Sequence, residues 1–138
     1  MSNTISKQPV CMVIGAGAGI GGNVAKRFAK EGFHSVHFRR SNQHGLDGLI
    51  RSIEEEGGTA SGFLINVVEP ESIEQCVEKV EDDIGPIETL VFNLGAQVGN
   101  KSLTETSYKI FELGWRLATF SLFRTASSVL PKMEKRGK

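Results

Sequence analysis

Apolar positions along the chain change period in a regular way. Val10-Cys11-Met12-Val13-Ile14 is a continuous apolar run ending at Gly15, the pattern of a strand buried on both faces of a parallel sheet. From Gly21 to Lys30 the spacing turns helical, with Val24, Ala25, Phe28 and Ala29 on one face and Gly32 placed to end the helix. Phe33 to Phe38 predicts a second strand, closed by Arg39-Arg40. Leu46, Leu49, Ile50 and Ile53 predict an amphipathic helix that stops near Gly57-Gly58. A third strand is expected between Ala60 and Val68, centred on Phe63-Leu64-Ile65. Pro70 suits the first turn of the next helix, where a missing N–H costs nothing. Ile73, Cys76, Val77, Val80 and Ile84 form that helix's apolar side, and Gly85-Pro86 ends it. Thr89 to Asn93 predicts a fourth strand, followed after a polar loop by one long helix from about Thr106 to Lys135, kinked near Pro131. Strict alternation of strand and helix implies right-handed crossovers and a parallel sheet covered on both faces. The expected fold is α/β, a doubly wound three-layer sandwich forming one domain over residues 1–138, with 1–8 a flexible N-terminus.

Composition narrows the function classes. With 16 Lys plus Arg against 16 Asp plus Glu, the formal charge is zero, whereas a dedicated nucleic-acid or membrane-surface protein carries a basic excess. No apolar run approaches the roughly 18 to 20 residues that cross a bilayer. Met1 to Gln8 is polar and lacks the apolar core of a secretory signal. Cys11 and Cys76 are too few for a disulfide framework and belong to no ligand cluster. A soluble, cytoplasmic chain with neither a nucleic-acid nor a membrane partner is expected.

The candidate chemistry sits in the glycines. Five of the 16 glycines, Gly15, Gly17, Gly19, Gly21 and Gly22, fall within eight positions, at the junction of the first strand and first helix. Glycine there permits a tight turn, close approach of backbone to ligand, and close helix–strand packing. The helix N-terminus then offers unpaired N–H groups and a partial positive charge to a pyrophosphate. Gly15, Gly17, Ala18, Gly19, Ile20 and Gly21 are therefore the candidate phosphate-binding residues of a dinucleotide site. In such folds an acidic residue at the end of the second strand binds the ribose 2′-hydroxyl of NAD. This chain has no Asp or Glu between Phe33 and His44 and offers Arg39 and Arg40 instead. Guanidinium pairs with a 2′-phosphate through forked hydrogen bonds, so NADP is expected ahead of NAD.

The spacing Gly15-x-x-x-Gly19-Ile20-Gly21 resembles the cofactor loop of the short-chain dehydrogenase/reductase family, Thr-Gly-x-x-x-Gly-Ile-Gly, with Ile14 in place of the Thr. Asn66-Val67 falls where that family has Asp-Val. Phe92-Asn93-Leu94-Gly95 resembles its Asn-Asn-Ala-Gly, and Leu130-Pro131-Lys132-Met133 its Leu-Pro-x-Met. The resemblance covers the chain beyond Pro9 and implies a Rossmann-like fold. It further implies that Asn66 and Val67 meet the adenine, and that Asn93 and Gly95 line the cofactor near its ribose. The implied activity is hydride transfer between nicotinamide and a small-molecule carbonyl or alcohol, in a homo-oligomer assembled through the long helix.

That chemistry uses a Ser and a Tyr-x-x-x-Lys, with a further Asn in the long helix. The only tyrosine, Tyr108, has Glu112 four residues on, and Ala118 stands where the Asn is expected. No catalytic residue is therefore assigned, and the 138 residues alone are expected to be inactive. Two readings stay open: the cofactor-binding portion of an oxidoreductase, or a non-catalytic dinucleotide-binding or regulatory module. On the first, Val91, Leu117 and Leu122 would be left uncovered, making the isolated chain marginal, aggregation-prone or obligatorily oligomeric. His34 and His37 are expected on opposite faces of a strand, which with His44 makes no metal site. Cys11 and Cys76 read as small core residues. Glu54-Glu55-Glu56 and Glu81-Asp82-Asp83 read as solvated helix ends, and Phe111, Trp115, Phe120 and Phe123 as packing.

Overall fold

The computed structural model describes residues 7–95 and 99–138. Strands β1 (Val10–Ile14), β2 (His34–Arg39), β3 (Thr59–Leu64) and β4 (Ile87–Phe92) form one parallel sheet in the order β3-β2-β1-β4. The chain winds outward from β1 to β3, then returns to the other side of β1. This reversal of strand order opens a crevice at the carboxyl ends of β1 and β4. Helices α1 (Ile20–Lys30) and α2 (Gln43–Glu55) cover one face of the sheet. The other face is covered by α3 (Ser72–Lys79) and by α5 (Ser121–Arg136), which continues from α4 (Tyr108–Trp115).

Alternation along the strands separates two cores. Val10, Met12, Ile14, Val36 and Phe38 pack with Ile73, Val77 and Val80 below α3 and with Val129 of α5. Cys11 and Val13 pack with Ala25 and Ala29 of α1 and Ile53 of α2. Helix α1 ends as its sequence directs. Gly32, at φ +90°, donates its N–H to Ala29, and Phe33 donates to Phe28. The Phe28 and Phe33 rings then meet edge to face at 5.2 Å, the apolar contact that accompanies this left-handed glycine cap.

Four expectations shift. The third strand runs Thr59–Leu64 rather than Phe63–Ile65, because it pairs with β2 from His34–Thr59 to Arg39–Leu64; within it α2 lies so close that a Cβ on Gly62 would sit 2.7 Å from Leu46 Cγ. A glycine fills the place where an apolar side chain was sought, and Ile65 falls beyond the strand. The long helix starts at Tyr108 and runs unbroken through Pro131. Its irregularity is the π-helical turn Arg116–Phe120, where the Ser121 N–H reaches back five residues to the Arg116 carbonyl. Of the N-terminal segment expected to be flexible, residues 1–6 lie outside the described residues. Lys7 and Gln8 are tied down: the Lys7 ammonium donates to the Asp82 carbonyl, and Gln8 donates to the Gly32 carbonyl at 2.7 Å. Glu81 is likewise not a solvated helix end. It pairs with Arg136 at 2.8 Å and accepts the Ile87 N–H, fastening the end of α5 to the start of β4.

Candidate functional site

The glycine loop divides into residues that build it and residues that open it. Gly15 has φ +86°, and a Cβ there would lie 2.5 Å from the Asn93 carbonyl oxygen. A Cβ on Gly21 would strike the Gly15 carbonyl oxygen, and one on Gly22 that of Gly17. These three glycines let β1, α1 and the end of β4 approach one another. Around Gly17 and Gly19, by contrast, a Cβ would meet nothing within 4 Å, so their freedom serves the space in front of the loop. Gly19 is the N-cap of α1 and supplies no side-chain cap, and the first turn holds no acidic residue. The helix thus presents its N-terminal partial positive charge to that space. Ala18 and Ile20 are exposed beside it.

Asn93 works beneath the loop. Its N–H donates to the Ile14 carbonyl at 2.8 Å, and its side-chain Nδ2 donates to the Gly15 carbonyl at 3.3 Å. It holds the loop to the end of β4 rather than projecting outward. Gly95 is exposed, and the next residues, 96–98, lie outside the described set.

Two openings flank the loop. The first is a narrow apolar slot of about 30 Å³ between the ends of β1 and β2, walled by Ile14, Phe38, Ile65, Leu94 and Leu117, with Gly15, Arg39, Arg40, Asn66 and Val67 also lining it. Asn66 is held by its neighbours: Nδ2 donates to Glu69 at 3.0 Å, and its carbonyl accepts the Ser72 hydroxyl at 2.9 Å. Val67 is buried, and its carbonyl accepts from Arg124 at 2.9 Å. The second opening, a cleft of about 320 Å³ between α1 and α2, takes in Gly17, Ala18, Lys26, Arg39 and Asn42. Gly19, Ile20, Gly21, Asn93 and Gly95 line neither opening. Sequence reading missed Ile65, Leu94 and Leu117 in the slot and Lys26 and Asn42 in the cleft. Lys26 was legible in principle, since it follows Gly22 by one helical turn.

The other candidates separate. His34 and His37 do lie on opposite faces of β2, with His34 Nε2 2.8 Å from the Ser61 hydroxyl. His37 is fully buried with both ring nitrogens unpartnered among the described residues. Burial, and then the nearby His34, push its pKa down to about 4. Cys11 is buried in β1, which pushes its thiol up to about 12, far from a thiolate nucleophile. Tyr108 is 95% exposed at the start of α4. Ala118 falls inside the π-helical turn. Trp115 and Phe120 stack at 5.3 Å, yet they, Phe111 and Phe123 are exposed, so this series is a surface face and not core packing.

A parallel sheet with a strand-order switch, a glycine loop whose open side faces that switch, and an uncapped helix N-terminus together fit a dinucleotide. Comparison with known proteins agrees. A family model described as short chain dehydrogenase matches residues 9–138. The fatty acyl-CoA reductase of Acinetobacter baylyi is 30% identical over 132 residues, covering 94% of this chain and 44% of that protein. The L-sorbose reductase of Gluconobacter frateurii, solved with NADPH and L-sorbose, superposes with a TM-score of 0.83 at 30% identity, over 96% of this chain and 50% of that one. A 3-oxoacyl-(acyl-carrier-protein) reductase of Agrobacterium tumefaciens, solved with NADP, gives a TM-score of 0.85 at 26% identity, over 93% and 48%. The chain spans less than half the length of the curated relatives it matches. The chain belongs to the short-chain dehydrogenase family.

Proposed function

We propose that these 138 residues are the NADP(H)-binding portion of a cytoplasmic, homo-oligomeric oxidoreductase that moves hydride between nicotinamide and a carbonyl or alcohol carbon of a small molecule. The observation that carries this reading is the glycine loop, built so that Gly17 and Gly19 leave open space before an uncapped helix N-terminus. Backbone N–H groups there would hold the pyrophosphate. The adenine would lie across the mouth of the apolar slot, with Asn66 and Val67 fixing its edge. A basic, carboxylate-free end to β2 would take the 2′-phosphate. When bound, the cofactor supplies or accepts the hydride. The residues of this chain only bind and orient it, because no Tyr-x-x-x-Lys occurs in the sequence.

Among the described residues, no helix is long and apolar enough to cross a membrane. The exposed aromatic face of α4 and α5 supports subunit assembly. Titration calorimetry with NADPH and NADH tests the reading. Binding of NADPH in preference to NADH, with no carbonyl reduction by the purified chain, is the expected result. Robust turnover would refute the binding-only assignment, and indifference to both dinucleotides would refute the site.

A further inference from the structure

The segment Asn66–Glu69, which follows β3 and carries the proposed adenine contacts, is tied from two sides. On its own side the ties are local: the Asn66 carbonyl accepts the Glu69 N–H at 3.1 Å and the Ser72 hydroxyl at 2.9 Å. On the other side they come from α5. Ser121 and Arg124 stand one helical turn apart, and the Val67 carbonyl accepts from both, from the Ser121 hydroxyl at 3.5 Å and from Arg124 Nη1 at 2.9 Å. The Glu69 carbonyl accepts from Arg124 Nη1 and Nη2 at 3.3 Å. The Nε–Nη2 edge of the same guanidinium meets the Glu74 carboxylate of α3 at 3.0 and 2.6 Å.

A fork of this kind fixes direction as well as charge. Glu74 holds one edge of the guanidinium, which turns Nη1 toward the two carbonyls. The Arg124 side chain keeps only 13% of its exposure, so these bonds are shielded from water and stronger for it. The segment needs such an anchor. Glu71, just beyond it, is not a glycine yet has φ +59°, in the left-handed region, a conformation that persists only where the surrounding contacts over-determine it. An ion pair that merely joined α3 to α5 would need Glu74 alone. Arg124 makes three further bonds to carbonyls of the segment whose Asn66 and Val67 line the slot.

We infer that Arg124 is a positioning residue for the base end of the dinucleotide: forked on Glu74, it holds the Val67 and Glu69 carbonyls so that Asn66 and Val67 meet the adenine edge at the mouth of the slot. It lines neither opening itself and acts through the segment. This inference rests on the dinucleotide reading above and adds to it a residue of the long helix, 57 positions away in sequence from the Val67 carbonyl it holds.

The test is titration calorimetry of the 138-residue chain with NADPH and with its analogue carrying hypoxanthine in place of adenine. That exchange replaces the amino group of the base by a carbonyl and alters its edge alone. Wild type, Arg124→Met, Arg124→Lys and Glu74→Gln are compared, each checked by circular dichroism for an unchanged fold. Wild type should prefer NADPH. Arg124→Met should weaken NADPH about tenfold, through the loss of charge-assisted anchoring, and leave the analogue unchanged, so that the preference for adenine falls by the same factor. Arg124→Lys, which keeps a charged donor, should recover part of the preference, and Glu74→Gln, which loosens the fork, should lower it. If wild type binds neither ligand, the dinucleotide reading falls, and if it binds both equally, the adenine edge is not read; either result overturns this inference as well. If wild type prefers adenine but Arg124→Met weakens both ligands by one factor, or neither, the dinucleotide reading stands and Arg124 is only a structural ion pair. Should Arg124→Met fail to fold, Glu74→Gln decides alone: an unchanged preference overturns the inference and a lowered one upholds it.

Discussion

Strands β1 and β4 lie side by side and have similar apolar character, Val-Cys-Met-Val-Ile against Ile-Glu-Thr-Leu-Val-Phe, yet their surroundings differ. All five residues of β1 are buried, while of β4 only Ile87 is. β1 has a hydrogen-bonded neighbour on each side and helices on both faces. β4 has β1 on one side and, among the described residues, no strand on the other. Beyond it, α4 and α5 expose Phe111, Trp115, Leu122, Phe123 and Leu130. Leu122 is thus uncovered as expected, while Val91 and Leu117 are half-buried. An open edge beside an apolar face is a surface that pairs with other chains. The difference teaches that the glycine loop is mounted on the best-covered strand of the molecule, so the binding half is rigid where it must be. The thinly covered half lies on the other side of β1, along β4 and the outer faces of α4 and α5.

The largest effect expected from this contrast is in the core. Met12, in the middle of β1, is fully buried between α3, α5 and the neighbouring strands. Met12→Ala should cost about 2–5 kcal/mol, a large share of a typical stability of about 5–15 kcal/mol. Leu122→Ala, at a side chain 44% exposed, should cost under about 1 kcal/mol by lost apolar area. Urea midpoints at constant slope read both. Equal losses would mean that the two halves are not unequally packed.

Legibility followed locality. β1, the loop and α1 could be read because their determinants are adjacent in sequence: an apolar run, a glycine spacing and a left-handed cap at Gly32. β3 was misplaced because its extent is set by pairing with β2, over a Thr-Ala-Ser-Gly stretch that has no apolar signature. The π-helical turn at Arg116–Phe120 was not read, because it is defined by one local backbone bond from Ser121 to Arg116 that no residue type announces. At the site, the loop glycines stand out in the sequence as a group, but their division into builders and openers depends on Asn93, 78 residues away in sequence from Gly15. The cleft holding Lys26 arises from glycines on two different helices, and only their packing reveals it.

A second, smaller effect sharpens the contrast through pH. His37 is in the well-covered half, on the face of β2 that packs under α1 and α2, and folding lowers its pKa from about 6.5 to about 4, by burial first and then by His34. Above pH 6.5 both states are neutral and His37 adds no pH dependence. As pH falls from 6.5 toward 4, the unfolded chain takes up a proton that the folded chain refuses, and stability declines. The loss approaches about 3 kcal/mol near pH 4, at about 1.4 kcal/mol per unit. His34, also lowered by burial, acts in the same direction. Glu74, held below the usual carboxylate range by its hydrogen bond to Arg124, adds a loss of the same sign only at lower pH. His37→Leu should flatten the profile between pH 6.5 and 4.5 in denaturant melts. An unchanged slope there would show that His37 is solvated or finds a partner in solution.

The smallest expected effect on the folded chain is on the bare face, and there the readout is association rather than stability. Phe123 is 67% exposed on α5, so little of it is removed from water within one chain. Phe123→Glu should change the unfolding free energy of the isolated chain by no more than about 0.5 kcal/mol. In an assembly built on this face the same substitution would bury a carboxylate against aromatic rings without a cation, which costs several kcal/mol. Sedimentation velocity should therefore show the variant shifted toward monomer relative to wild type, with an unchanged melt at low concentration. If wild type is already monomeric at high concentration, the exposed aromatics of α4 and α5 are not a self-association surface.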